Sequence, residues 1–401
     1  ADAAVRLALQ HSPALQALLA ESWARQSANA AAAALPNPLL RLERAVQGDV
    51  VELTRGISFG LLELLTLPLR QQAAQQNQAA EQLQLAQQVL LHAQATRQQW
   101  VRAVAAAQSE HHLAEAAEAA QTGAELARRL EQAGNSSRWQ RLREEASAAE
   151  ARGALARARH TTLAEREALI RLLGLDAAQA ARLQLPATLS PVPEQEPLPT
   201  GNDAAPLDAT ARLDLLLARA RWQQAGGERS ADAVASWTDV ELGLSQTRSS
   251  DAPDKRAVEL GVRLPLFDLG SARRQARNAT ERAAAERVAQ AERDAASQLR
   301  EQAGALRAAW SLARQQLDEQ LPRQQQLTEE TLLRYNGMLI SVFELLAQAR
   351  NQAASTAAAI DAQRDYWLAD AAWQSARIGV PASSSLGNAP AATSARDSGG
   401  H

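Results

Sequence analysis

Apolar and polar positions along this chain switch twice between a helical period and a period of two, in the same order each time. Over residues 3–34, Val5, Leu7, Leu9, Leu15, Leu18 and Leu19 set out helical faces, interrupted near Ser12-Pro13. Leu35-Pro36-Asn37-Pro38 ends that run, because proline disfavours helical backbone at the residue before it. Over 39–59 the period becomes two. Leu40, Leu42 and Ala45/Val46 precede a turn at Gly48-Asp49, and Val51, Leu53, Arg55 and Ile57 follow it, opposed by Glu43, Glu52, Thr54 and Ser58. This predicts a β-hairpin with one mostly apolar face and one polar face. Residues 69–174 return to the helical period, with a heptad seam at Leu83, Ala86, Leu90, Ala93, Trp100, Val104 and Ala107. A break at Ala133-Gly134-Asn135, in a turn over 133–136, and a stop at Gly174 make this a helical hairpin. Its first arm would span roughly 95 Å at 1.5 Å per residue.

The order then begins again. Residues 183–207 carry Pro186, Pro191, Pro193, Pro197, Pro199 and Pro206 among acidic residues, a composition that reads as a linker without a packed element. It separates repeat 1 (1–182) from repeat 2 (208–380). A helix over 208–229 leads to a second β-hairpin over 235–267. There Thr238, Val240, Leu242 and Leu244 oppose Trp237, Asp239, Glu241 and Gly243, and a polar loop covers Arg248 to Arg256. On the return strand Val258, Leu260, Val262, Leu264 and Leu266 alternate with Glu259, Gly261 and Arg263. A helical hairpin over 268–379 follows, with the seam Leu299, Ala303, Leu306, Trp310, Ala313 and Leu317 and a turn near 336–341. Pro322 lies inside its first arm, so a kink is expected about 20 Å before the turn. Residues 381–401, rich in serine, alanine and glycine, read as disordered.

Composition narrows what such a chain can be. Aromatics make up only 3% of its 401 residues and alanine dominates the apolar share, so long closely packed helices are expected rather than a thick globular core. A net charge of -3 gives no general footprint for nucleic acid. Without cysteine there is no disulfide, thiolate nucleophile or cysteine metal site. No stretch approaches the ~18 apolar residues of a membrane-spanning helix, and the start lacks the pattern of a signal peptide, as a processed chain would. No nucleophile, base and orienter spacing and no phosphate loop occurs, so an enzyme is not expected and no cofactor is implied.

If the hairpins enter a membrane, they do so as strands. Four amphipathic strands fall short of the roughly eight needed to close a barrel, and open edges are not tolerated in lipid. Closure would take several chains: three copies give twelve strands, two give eight. The valines and leucines would then meet lipid, and Glu52, Asp239, Glu241 and Glu259 would meet water. Ordinary half-buried hairpins on a soluble coiled-coil scaffold or adaptor fit the same pattern.

Particular strings go further. Ala8-Leu9 through Ser12-Pro13, Leu35-Pro36-Asn37-Pro38, Arg212-Leu213-Asp214-Leu215 and Leu264-Pro265-Leu266-Phe267-Asp268-Leu269-Gly270 stand in order along the chain. So do Ala133-Gly134-Asn135 to Arg138 at the first helical turn, and Tyr335-Asn336-Gly337 to Glu344-Leu345-Leu346 at the second. In order and spacing over about 375 residues these resemble the TolC-like outer membrane factors, the outer membrane efflux protein family, particularly its CzcC and CusC branch serving heavy-metal pumps. The resemblance implies a mainly α protein with a membrane β-barrel portion, a homotrimer whose three chains form a 12-stranded barrel in the outer membrane and an α-helical barrel through the periplasm. It implies a passive exit duct of a tripartite efflux system for heavy-metal cations or drugs. Its partners would be outer-membrane lipid, a periplasmic membrane-fusion adaptor and, through the adaptor, an inner-membrane RND-type transporter.

The same resemblance implies adaptor docking at the two turns, through Gly134, Asn135, Ser136 and Arg138, and through Asn336, Gly337 and Met338. It implies a periplasmic gate at Tyr335 and Glu344, with Gln140 where relatives often carry a carboxylate. Two departures stand out: Gln140 removes a charge, and Gly337 follows Tyr335 by two positions where three is commoner. His111 and His112 are adjacent and point apart on a helix, so they cannot chelate one ion, and no metal site is expected. Trp237 fits a membrane-interface position, while the other tryptophans read as packing residues.

Overall fold

The computed structural model describes residues 1–198, 211–235, 239–251, 253–263 and 270–381. Helices α1 (Asp2–His11) and α2 (Pro13–Ala32) lead to strands β1 (Leu39–Gln47) and β2 (Val50–Gly60). A short α3 (Leu61–Leu65) precedes the long α4 (Leu67–Gln132), then α5 (Arg138–Leu173) and α6 (Ala177–Ala181). The second round runs through α7 (Leu213–Ala235), β3 (Asp239–Ser249), β4 (Lys255–Arg263), α8 (Ser271–Arg314), a π-helical stretch (Gln315–Gln320), α9 (Leu321–Asn336) and α10 (Val342–Ile378). The doubled order of strand hairpin and helical hairpin is thus the architecture. Trp237, Thr238, the Leu264 to Leu269 string, residues 199–207 of the proline-rich segment and the tail from 382 lie outside the described residues.

The two compact units are not the two sequence repeats. One takes Ala1–Gln16, Gln88–Asp208 and Ala295–His401, and the other Ala17–Gln87 and Ala209–Asp294, so each draws on both repeats.

In the first unit the α1–α2 break and the end of α5 explain each other. Gly174 caps α5 in the left-handed conformation at φ 68, and a Cβ there would collide with the Pro13 ring and the Ser12 backbone. Leu169 and Leu173 are fully buried beside Ala8 and Ala103. The α8 seam is realised: Leu306 and Ala313 have no exposed surface, and Ala303, Trp310 and Leu317 pack around Tyr366 of α10. The α4 seam is realised only in part: Val104 is buried and Trp100 packs against the core, but Ala86 and Leu90 are exposed, and Gln94, Thr96, Gln98, Gln99, Val101, Ala103 and Ala105, off the seam, are buried as well. This part of α4 is enclosed on several sides, so no single stripe defines its core. Its amides are satisfied across helices, Gln94 Nε2 donating to Ala371 O (2.6 Å) and Gln99 Nε2 to Glu165 O (2.9 Å).

The proline-rich segment corrects the expectation of an unpacked linker. Up to residue 198 it has no regular structure, yet Leu189, Val192 and Leu198 are buried. Trp310 Nε1 donates to Pro193 O and Trp367 Nε1 to Ser190 O, both at 2.9 Å, and Arg307 pairs with Glu196 at 2.9 Å. Each proline withholds an N–H from any internal ladder, which leaves carbonyls of the segment to accept from neighbouring helices.

Pro322 also has a specific setting. It sits at the second residue of α9, directly after the π-helical stretch, where Leu321 N–H bonds to Gln316 O, five residues back. The widened turn gives room to a ring that would clash with the carbonyl four residues before it.

In the second unit β1-β2-β3-β4 form one antiparallel sheet in chain order, so the two hairpins are joined edge to edge through β2 and β3. Leu40 pairs with Ile57, Ile57 with Leu244 and Leu244 with Val258, which puts all four on one face. The second hairpin turn is tighter than the composition suggested. Arg248 and Arg256 are strand residues, and only 250–254 separate the strands, because pairing continues to Thr247↔Lys255. Helices of this unit are linked by ion pairs, Arg229–Glu281 (2.9 Å) and Arg277–Glu228 (2.7 Å) among them. Arg70 ties α4 back to the end of α2 by donating to Ala32 O and Ala34 O (both 3.3 Å).

Candidate functional site

Two features of the fold carry chemistry: the sheet in one unit and the helical turns in the other. In the sheet, alternation places Leu40, Leu42, Ile57, Phe59, Leu244, Val258, Leu260 and Val262 on one face, and every one is more than 40% exposed. The opposite face carries Glu52, Thr54, Ser58, Glu241, Ser245, Thr247 and Glu259. It lines a trough of about 290 Å³ around Gly56, Gly243 and Gly261. Thr54 and Thr247 hydroxyls meet at 3.0 Å, and Ser245 Oγ donates to Glu259 Oε1 at 2.8 Å. A sheet in a water-soluble protein hides its apolar face; here the apolar face lies open, and the polar face holds the trough.

The two helical turns are built alike. At the first, Gly134 (φ 79) is left-handed, Asn135 N–H bonds to Leu130 O (2.8 Å) and Gly134 N–H to Glu131 O (2.9 Å). At the second, Leu339 N–H bonds to Arg334 O and Met338 N–H to Tyr335 O, both at 2.9 Å. The left-handed residue there is Met338 (φ 56), while Gly337 has an ordinary φ of -79. The glycine displacement noted in the sequence therefore leaves a methionine where the backbone favours glycine.

Each turn ends in a serine cap. Gln140 N–H donates to Ser137 Oγ (3.2 Å) and Ser137 N–H to Gln140 Oε1 (3.0 Å); Glu344 N–H donates to Ser341 Oγ (3.4 Å) and Ser341 Oγ to Glu344 Oε1 (3.3 Å). Gln140 and Glu344 thus hold equivalent third positions of α5 and α10, each tied to its own cap. Tyr335 precedes the second turn and is 37% exposed. Arg138 opens α5, and Asn135, Ser136 and Asn336 complete the turns. The turn surfaces are apolar at their tips: Met338 is 92% exposed, Leu339 77% and Trp139 66%.

Charge near the turns is organised by residues that the sequence reading did not single out. Arg141 reaches from α5 to Glu131 of α4 and to Glu145 on its own helix (2.7 Å), and these hydrogen bonds raise its affinity for its proton. At the equivalent place after the second turn stands Leu345, so only the first turn is clasped this way. Glu144, 3% exposed, pairs with Arg350 of α10 at 2.6 Å. The Arg141 to Glu145 spacing was visible as a helical i,i+4 pair, but the other partners are distant in sequence. His112 Nε2 lies 2.9 Å from Ala353 O and His111 Nε2 3.4 Å from Glu115, so the two rings face different partners. Among the described residues no three His, Asp or Glu side chains gather as metal ligands, and no helix is long and apolar enough to cross a membrane.

No protein-family model and no curated protein matches this sequence. Solved structures do. The outer membrane protein VceC of Vibrio cholerae aligns at 16% identity over 95% of this chain and 96% of its own, with a TM-score of 0.74. CusC, whose structures concern folding and transmembrane channel formation, aligns at 18% identity over 94% and 92%, with a TM-score of 0.74. The outer membrane channel CmeC of Campylobacter jejuni aligns at 15% identity over 96% and 86%, with a TM-score of 0.77. The chain has the fold of these channel proteins along almost its whole length.

Proposed function

We propose that this chain is one protomer of a trimeric outer-membrane duct, passively conducting substrate outward from a periplasmic adaptor and an inner-membrane RND-type pump. The observation that carries this reading is the amphipathic sheet, whose leucines, valines and phenylalanine lie open on one face while the other carries carboxylates around a trough. Three copies would close twelve strands, cover the leucines with lipid and fill the trough beside Glu241 and Glu259 with water. The fold shared with VceC, CusC and CmeC supports the same reading.

Within it, the two turns are the adaptor-docking surface. Exposed Trp139, Met338 and Leu339 serve as apolar anchors beside Gly134, Asn135, Ser136, Arg138, Asn336 and Gly337. Tyr335, Glu344 and Gln140 form the gate. Three copies of Glu344 in a ring favour cations at the entrance, whereas the neutral Gln140 adds no charge. The cargo we assign is heavy-metal cations, following the resemblance of the turn motifs to the metal-pump branch.

Planar-bilayer recording of the detergent-purified trimer tests this. Cation-selective conductance is expected, with Glu344→Gln lowering the preference for cations over anions several-fold and Tyr335→Phe prolonging openings. A protein that stays soluble without detergent, or conducts nothing in all three forms, overturns the duct.

A further inference from the structure

The open face of the sheet breaks its apolar pattern at the hairpin-turn end in a regular way: each strand contributes one arginine. Arg44 of β1 faces Leu53 of β2, which faces Arg248 of β3; one step toward the helices, Arg55 of β2 faces Gln246, which faces Arg256 of β4. The four arginines therefore alternate between two adjacent rows. With strands about 4.8 Å apart and same-face neighbours about 6.8 Å apart along a strand, consecutive Cα positions in this zigzag lie about 8 Å from one another. All four side chains are exposed. Arg248 pairs with Asp254 at 3.2 Å and Arg256 lies in the field of the same carboxylate, but Arg44 and Arg55 have no acidic partner among the described residues.

Next in order toward the helices come Leu40, Ile57, Leu244 and Val258, then Phe59, Leu242 and Leu260. An apolar field crossed near its turn-side end by a line of guanidiniums, with only the Val46–Val51 pair beyond it, is complementary to one kind of molecule, with acyl chains at one end and phosphate at the other. Guanidiniums about 8 Å apart repel unless an anion lies between them, and their forked donors fit phosphate oxygens. We propose that Arg44, Arg55, Arg248 and Arg256 bind the phosphates of an anionic lipid headgroup at the membrane boundary. This rests on the duct reading, which sets the apolar face against lipid.

The test titrates the full chain in detergent with phosphatidic acid or with phosphatidylcholine of the same acyl length, following bound lipid by native mass spectrometry. Wild type is expected to prefer phosphatidic acid by at least about tenfold, at roughly fivefold per arginine. The R44Q/R55Q/R256Q variant should lose that preference, and Arg41→Gln on the polar face should keep it. Should the triple variant not fold, R55Q alone is expected to weaken phosphatidic acid about fivefold. No preference in wild type, an unchanged preference in the variants, equal loss in Arg41→Gln, or displacement of the lipid by equimolar inorganic phosphate each overturns the proposal. Flotation with phosphatidylcholine vesicles reads the duct separately: a chain that does not float sinks that reading, whatever the detergent titration gives.

Discussion

Met338 occupies a backbone conformation that costs an L-residue with a side chain about 1 kcal/mol, and its side chain, 92% exposed, regains little by packing. Gly134 holds the same place at the other turn with open space around its missing Cβ, whereas Gly174, equally left-handed, is pressed against Pro13. The three positions should separate in thermal denaturation. Met338→Gly is expected to stabilise by about 1 kcal/mol and Gly134→Ala to cost about 1 kcal/mol. Gly174→Ala should cost about 3 kcal/mol, since collision adds to strain. Equal midpoints for the two alanine variants would refute the role given to Pro13. The sequence marks Gly134 and Gly337 alike, because glycine signals a turn without saying which residue takes the positive φ; hydrogen bonding around the second turn assigns it to Met338. Gln140 and Glu344 were likewise readable as residues near turns, but their equivalence as cap partners emerges only with Ser137 and Ser341 beside them.

Among the elements, the proline-rich strap up to residue 198 is held by other helices' side chains rather than by its own backbone. Trp310→Phe and Trp367→Phe keep the packing but withdraw the donors from Pro193 O and Ser190 O. Each is expected to cost about 1 kcal/mol and to hasten protease cleavage within 183–198. Unchanged cleavage in the double variant would count against the strap. Composition could not reveal it, since prolines predict the lack of regular structure correctly and say nothing about what accepts that chain. The two helical seams teach the same lesson. Leu306, Trp310 and Ala313 follow a stripe because α8 meets its neighbours on one side, while Gln94 and Gln99 of α4 are buried by partners far away in sequence.

For the whole molecule, folding stability should carry a trace of Asp370. Burial raises its pKa above the ordinary carboxylate value, with Arg97 and the Gln374 amide (2.7 Å) pulling the other way. Burial and this carboxylate together push Tyr366 up to about 12, so its phenol stays neutral. Because the folded chain holds the Asp370 proton more tightly than the unfolded one, this contribution is complete below about pH 3.9 and is lost as pH rises through the raised value. Asp370→Asn should flatten that part of the profile of thermal midpoint against pH; an identical slope in wild type and variant would refute it. The doubled order of elements was legible at this scale because each hairpin is local. The division into compact units was not, since both units are assembled from contacts between the repeats.

The pairing of β2 with β3 has a consequence in time. Thr54 and Thr247, bonded side by side, are 193 residues apart in the chain. A ribosome adding roughly 5–20 residues per second leaves β2 without its neighbour for roughly 10–40 seconds. For that interval the β2 edge of the first hairpin offers its unpaired backbone groups to any other nascent chain. A duplicated protein whose halves complete each other's sheet is therefore most vulnerable midway through its own synthesis, when a holding chaperone would be needed most.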